Sequence, residues 1–222
     1  MRMIKVTDID SWGFEHAIRG MRNPMNSWDK SDSGWRYKYV RDGERADIYC
    51  IGENDLELMR KLYKAGTEHR KYLRQIFVSM DITAPLYWWK EFDTYKVGTV
   101  SNSCSTMHKI ASKEFELDDF SHEHLLRSAL DNLSGTIETL NKYRVVYLES
   151  NDKAYWWQMI QLLPSSYNQK RTITMNYENV MNIIHQRSGH KLDEWSDLIG
   201  VLMDLPYVKD ITADLRNGRA KA

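Results

Sequence analysis

The sequence predicts an α/β protein, and three stretches carry that prediction. Residues 76–82 read IFVSMDI, a short run dense in apolar side chains that suits a buried strand. From residue 125 onward, Leu125, Leu126, Ala129, Leu130, Leu133, Ile137, Leu140 and Tyr143 recur at helical spacing. Residues 177–187 split into two stripes at about 100° per residue. Glu178, Asn182 and His185 lie on one stripe, and Val180, Ile183, Ile184 and Arg187 on the other. Strand and helix periodicities in one chain define the mixed class.

Length and charge bound the rest. At 222 residues the chain has enough material for one large domain or two small ones. Hydrophobic residues make up 42% and charged residues 28%, the balance of a folded globular protein. Lys+Arg and Asp+Glu both number 31, so bulk electrostatics advertises neither a nucleic-acid nor a membrane partner. No run is long enough to cross a bilayer, and MRMIKVTDID lacks the apolar core of a signal peptide. The two cysteines, Cys50 and Cys104, have no metal-ligand spacing and fit a reducing, cytoplasmic compartment.

In chain order, residues 4–6 read as a short strand and 12–21 as a helix, with Trp12, Phe14, Ala17, Ile18 and Met21 on its apolar face. Residues 23–45 are polar and turn-rich, with Asn23-Pro24 and Asp42-Gly43, and read as a loop or hairpin. Asn54 with Glu57 predicts a capped helix start, and Gly66 its end; Leu58, Met59, Leu62 and Tyr63 form its inward face. His69, Arg70, Lys71 and Arg74 then form a basic run, either a solvated turn or a phosphate contact. Pro85 suits the first position of a helix whose body is Leu86, Tyr87, Trp88, Trp89 and Phe92.

After Gly98 the character changes. Thr99, Ser101, Asn102, Ser103, Cys104, Ser105 and Thr106 follow almost without interruption, either an ordinary polar loop or a field of hydroxyl and amide groups for an anionic ligand. His122 and His124 open the long helical pattern, which Ser134-Gly135 would interrupt. Residues two apart on a helix do not face each other, so no metal site is expected there. Asp152 starts a helix with Tyr155, Trp156, Trp157, Met159, Ile160 and Leu163 mostly in the core, and 210–222 reads as a frayed tail. Arg187, on the apolar stripe, needs a reason, because an unpaired buried charge is costly. Snorkelling, a helix C-terminus or a bound ligand would each supply one.

Three regions together resemble the flavin-dependent thymidylate synthases. In residues 84–108, APLYWWKEFDTYKVGTVSNSCSTMH, an apolar segment leads into the position of that family's Arg-His-Arg triplet, here Thr94, Tyr95 and Lys96. The family's Asn-Glu falls on Ser101 and Asn102, its serine on Cys104, and its Arg-Tyr on Thr106 and Met107. In residues 163–195 the matching points are Leu163-Pro164, Thr174-Met175-Asn176, Met181-Asn182, Arg187 and Trp195. His69 stands upstream, where the family carries a histidine near the flavin. The resemblance is strongest over 55–205, and the family's early strand pair falls on 35–40 and 47–51.

The resemblance implies an antiparallel sheet with surrounding helices, one domain over 1–222, and a homotetramer with sites shared between subunits. The aromatic content (8 Trp, 13 Tyr, 5 Phe) suits the interfaces such an assembly needs. It implies FAD as cofactor, NADPH and methylenetetrahydrofolate as co-substrates, and deoxyuridine monophosphate or a related pyrimidine nucleotide as substrate; a non-catalytic nucleotide- or flavin-binding descendant is the alternative. Arg187 and His69 become candidate catalytic residues. Asn176, Asn182, Lys96, Tyr95 and His69 become candidate flavin contacts. Ser101, Asn102, Ser103, Cys104, Ser105, Thr106 and Arg187 become candidate nucleotide contacts. The chain departs from the family at Thr106, where a phosphate-gripping arginine is replaced, and at Glu178, where a positive contact to the cofactor becomes negative.

Overall fold

The computed structural model describes residues 3–39 and 45–218. Strand β1 (Lys5–Trp12) turns at Gly13 into helix α1 (Phe14–Arg22). Gly13 has φ +92°, and a Cβ there would lie 2.1 Å from the Gln75 carbonyl oxygen, so the turn requires glycine. Trp12 therefore ends a strand, stacked on Phe77 at 5.9 Å, and does not begin the helix. Phe14, Ala17, Ile18 and Met21 form the buried helix face as the spacing predicts.

A hairpin follows, β2 (Gly34–Tyr39) with β3 (Arg45–Cys50). Val40 and the Asp42-Gly43 turn lie outside the described residues. Helix α2 (Glu53–Lys64) ends at Gly66, at φ +104°, as expected. Its start is different. Asn54 lies inside the first turn, and the capping carboxylate is Asp32, which accepts from the Asn54 and Asp55 N–H groups at 3.0 and 3.2 Å. The loop is folded back onto the helix by a tertiary contact, which supersedes the local capping signal. Leu56 joins Met59 in the buried face, with Leu58, Leu62 and Tyr63 packed at its margin.

Strand β4 (Phe77–Pro85) extends past the predicted run, burying Val78, Met80, Ile82 and Ala84 on one face. Pro85 is thus the residue before α3 (Leu86–Phe92), not its first helical position. The Leu86 and Tyr87 N–H groups at that helix start donate to the carbonyls of Tyr167 and Ser165. The polar stretch forms an edge strand, β5 (Thr99–Ser103), followed by the short α4 (Thr106–Lys109).

Helix α5 (Arg127–Ser150) begins after the two histidines and runs unbroken through Ser134-Gly135, leaving Leu125 and Leu126 ahead of it and exposed. Helix α6 (Lys153–Leu162) is capped by Asp152 as predicted, but only Met159 of its apolar residues is fully buried. Next come β6 (Asn168–Asn176), α7 (Tyr177–Arg187), α8 (Asp193–Met203) and α9 (Val208–Gly218). The last of these replaces the expected fray with a helix whose Ile211 and Thr212 are buried; residues 219–222 lie outside the described part.

The four long-range strands pair in the order β1-β4-β6-β5, every pairing antiparallel, which matches the expected sheet. One hydrophobic core packs β4 and β6 against α1, α3, α7 and α8. A second, built on Leu133, Ile137, Leu140 and Met159, lies under α5 and α6 with Phe115 and Phe120. Among the described residues no helix is long and apolar enough to cross a membrane.

Candidate functional site

Helix α7 spans the predicted residues and organises the site. Asn176 caps it, accepting from the Asn179 N–H at 3.0 Å, so this candidate flavin contact is already fixed by the helix start. The loop before β5 closes on it. Gly98 has φ +74°, and a Cβ there would lie 2.4 Å from Asn176 Nδ2. The Asn179 amide donates to the Val97 carbonyl at 2.6 Å and to Thr99 Oγ1 at 2.8 Å, tying β5 to the helix.

The polar stripe is a charge cluster. Arg70 and Arg74 both bond the Glu178 carboxylate, Arg70 Nε at 3.4 Å. Arg70 Nη2 also donates to Asn182 Oδ1 at 3.3 Å, and its guanidinium lies 5.5 Å from the Tyr63 ring. The Glu178 carboxylate is thus answered by two arginines from the segment after α2. Of the basic run, His69, Lys71 and Arg74 are exposed, as a solvated turn would have them, while Arg70 is half-buried against α7. His69 is exposed and lines a cleft of about 570 Å³ bordered by α1 and α2, apart from the contacts of Asn176, Asn182 and Arg187. Its neighbour Arg70 is the residue that reaches the stripe.

Arg187 is paired within the chain. Its Nη1 bonds Glu91 at 2.8 Å and its Nε bonds the Tyr95 hydroxyl at 3.0 Å. The guanidinium stacks 4.6 Å from the Trp195 ring, and Trp195 Nε1 donates to the same Glu91 oxygen at 3.3 Å. His190 approaches that oxygen too, at 3.3 Å. Tyr95 in turn donates to Gln186 at 3.0 Å, while Lys96 is exposed. The apolar stripe therefore tolerates its charge through an ion pair and an aromatic face. Behind Trp195, Tyr87 donates to the buried Glu194 carboxylate; burial, with that bond adding, pushes the Tyr87 hydroxyl above its ordinary pKa.

Ser101, Asn102 and Ser103 project from β5 and are exposed, as is Cys104. The Cys104 backbone is held at both ends, its N–H to Lys170 at 2.9 Å and its carbonyl to Gln169 at 2.8 Å. Ser105 caps α4 by accepting from the His108 N–H at 3.2 Å, and Thr106 is that helix's first residue. Sequence reasoning missed Arg171, the cross-strand partner of Ser103. It stacks 4.2 Å from the Trp89 ring and bonds Asp93 at 2.8 Å, bringing a guanidinium to the polar strand. A cation among the alternating residues before Asn176 was the available signal.

Arg70 and Arg74 thus meet Glu178 on one side of α7, Arg187 meets Glu91 on the other, and β5 carries hydroxyl and amide groups along the sheet edge. The fold around these groups is that of the flavin-dependent thymidylate synthases. Thymidylate synthase ThyX from Helicobacter pylori, solved with FAD and dUMP, is similar to this chain with a TM-score of 0.65 at 20% identity, over 93% of this chain and 95% of that one. A second ThyX complex from the same organism, also with FAD and dUMP, gives 0.62 at 19%, over 92% and 96%. The UMP/dUMP methylase PolB from Streptomyces cacaoi, bound with 5-Br UMP, gives 0.64 at 14%, over 96% and 95%. No protein-family model matches the sequence, and no curated protein matches it.

Proposed function

We propose that this chain is a FAD-dependent, thymidylate synthase-like enzyme. It methylates deoxyuridine monophosphate or a related pyrimidine nucleotide, with methylenetetrahydrofolate as one-carbon donor and NADPH as reductant. The observation that carries the reading is coverage: nearly the whole chain shares its fold with proteins crystallised with FAD and dUMP, or with 5-Br UMP.

The donor set fits a flavin. Asn182 offers an amide, and Arg70 with Arg74 carry two positive charges against the single one on Glu178, matching carbonyl and phosphate acceptors. The flavin supplies the hydride when bound, chemistry that side chains alone do not perform. Asn176, Tyr95, Lys96 and His69 are the further flavin contacts of this reading. Arg187, its plane set by Glu91 and Trp195, orients the pyrimidine and stabilises charge developing on it. Ser101, Asn102, Ser103, Cys104, Ser105 and Thr106 take the nucleotide, with Arg171 contributing the cation that Thr106 lacks.

The chain acts as one domain in a cytoplasmic homotetramer. The open β5 edge and the exposed apolar residues of α5 and α6, among them Val145, Leu148, Trp157 and Leu162, support self-association. The Glu91–Arg187 ion pair favours a second reading, a non-catalytic descendant that binds nucleotide or flavin, because it offsets the charge catalysis needs.

FAD titration followed by flavin fluorescence, then one-carbon transfer to dUMP and to UMP, tests both. Flavin uptake with methylated product supports the enzyme, and uptake without product supports the binder. A protein that leaves the flavin spectrum unchanged at tens of micromolar FAD is not the enzyme, and absence of a dUMP- or UMP-induced shift in melting temperature then excludes the binder as well.

A further inference from the structure

A cleft of about 810 Å³ opens where β1, the start of α1, the β2–β3 hairpin and Tyr207 meet. None of its lining residues is among those assigned above to flavin or nucleotide. Its volume is that of a small-molecule site.

Two features of the lining define a ligand. The first is aromatic surface held open to solvent. Trp35 is 61% exposed and Trp12 43%, yet neither ring is loose. Trp35 packs edge-on against Tyr49 at 5.5 Å and donates its indole N–H to Glu15 at 3.2 Å. Trp12 is stacked on Phe77. Tyr207 packs against Phe14 at 5.6 Å, its hydroxyl accepting from the Ile51 N–H at 3.0 Å. Large apolar rings are thus fixed in place at the surface, an arrangement that the packing of this chain alone does not require.

The second feature is charge. In a chain whose positive and negative residues balance, this lining holds, among the described residues, Asp10, Glu15, Asp47 and Asp210 and no lysine or arginine. His16 also lines the cleft, its Nδ1 3.4 Å from Arg19 Nη2. Arg60 donates to the Asp210 carbonyl, but its charge is directed to Glu53 at 2.7 Å. Burial, with Asp55 and Glu15 adding, pushes the Tyr49 hydroxyl up. The α1 N-terminus points a partial positive charge into this region, and Glu15 in its first turn offsets it.

We infer that this cleft binds an organic cation through a methylated ammonium head, seated between the Trp12 and Trp35 rings and facing the carboxylates. A primary ammonium is strongly hydrated and stays in water. A methylated one spreads its charge over apolar surface that an indole face accepts, attracted by the ring quadrupole.

The test uses choline and tetramethylammonium as probes, with 3,3-dimethylbutan-1-ol as the uncharged isostere of choline. Binding is read by tryptophan fluorescence and calorimetry at low salt. Choline should saturate with a Kd of about 1 mM or tighter, the isostere binding at least about tenfold more weakly. Trp35→Ala and the pair Asp10→Asn with Glu15→Gln should each weaken choline binding by about tenfold or more, with the melting temperature of each variant confirming that it is folded. Trp35 is exposed, so its removal leaves the core intact. Absence of saturation by about 10 mM choline overturns the inference. So does equal affinity for the isostere, or undiminished binding in folded Trp35→Ala.

Discussion

Replacing Asp55 by alanine should cost more stability than any surface change in this protein. The carboxylate is fully buried and accepts from Arg22 Nε at 2.6 Å, Ser31 Oγ at 2.7 Å and Ser33 Oγ at 2.6 Å. It also accepts from the Asp32 and Ser33 N–H groups at 3.2 and 3.1 Å. Arg22 is only 4% exposed, so the alanine variant leaves a guanidinium buried without its counter-charge. Breaking a buried pair from one side costs about 3–5 kcal/mol. For a chain of this size that is a fall of roughly 6–20 °C in melting temperature. Differential scanning calorimetry and urea unfolding measure it. Arg22→Met added to Asp55→Ala should restore part of the loss, because the stranded charge goes with it. A loss below about 1 kcal/mol, or no recovery in the double variant, refutes the reasoning. The pH dependence follows. Burial raises the Asp55 pKa, but the bonds from Ser33, Ser31 and Arg22 outweigh it and hold the carboxyl below its usual range. A depressed folded-state pKa means the contribution is complete above the unfolded value, about 3.9, and is lost as pH falls through the folded one. Wild type should lose stability in that acid window more steeply than Asp55→Asn.

Gly98→Ala places a Cβ 2.4 Å from Asn176 Nδ2 at φ +74° and should destabilise by about 1–3 kcal/mol while loosening the start of α7; hydrogen exchange at the Asn179 amide reads the second effect, and unchanged protection there counts against the tie between β5 and the helix. Arg187→Ala should abolish any dUMP-induced shift in melting temperature and lower turnover by about 10²–10³ if the charge acts on the pyrimidine. An unchanged dUMP shift in that variant removes Arg187 from the substrate site.

The limits of the sequence show at particular residues. The bounds of α7 and the division of its two faces were legible, because about 3.6 residues per turn maps spacing directly onto direction. The buried strand 76–82 was legible for the same local reason, though not its extension through Pro85. The polar field 99–106 read as a loop or an anion-binding field because its composition suits either. Residues 99–103 of it form an edge strand because β6 supplies a hydrogen-bonding partner along their length, and composition carries no record of that partner. The capping of α2 was assigned to Asn54 on local spacing, whereas Asp32 arrives from a loop that Asp55 folds back.

The sequence by itself determined the mixed class, the helical periodicities, the Asp152 cap and the glycine that ends α2, since each depends on neighbours within a turn or two. Only the tertiary structure decided what the charges face. Arg187 was visible as a cation on an apolar stripe, but Glu91 and Trp195 reach it from α3 and α8, and Arg70 reaches Glu178 and Asn182 from the turn after α2. An ion pair depends on distance in space. Sheet order and helix packing set that distance, and spacing along the chain does not.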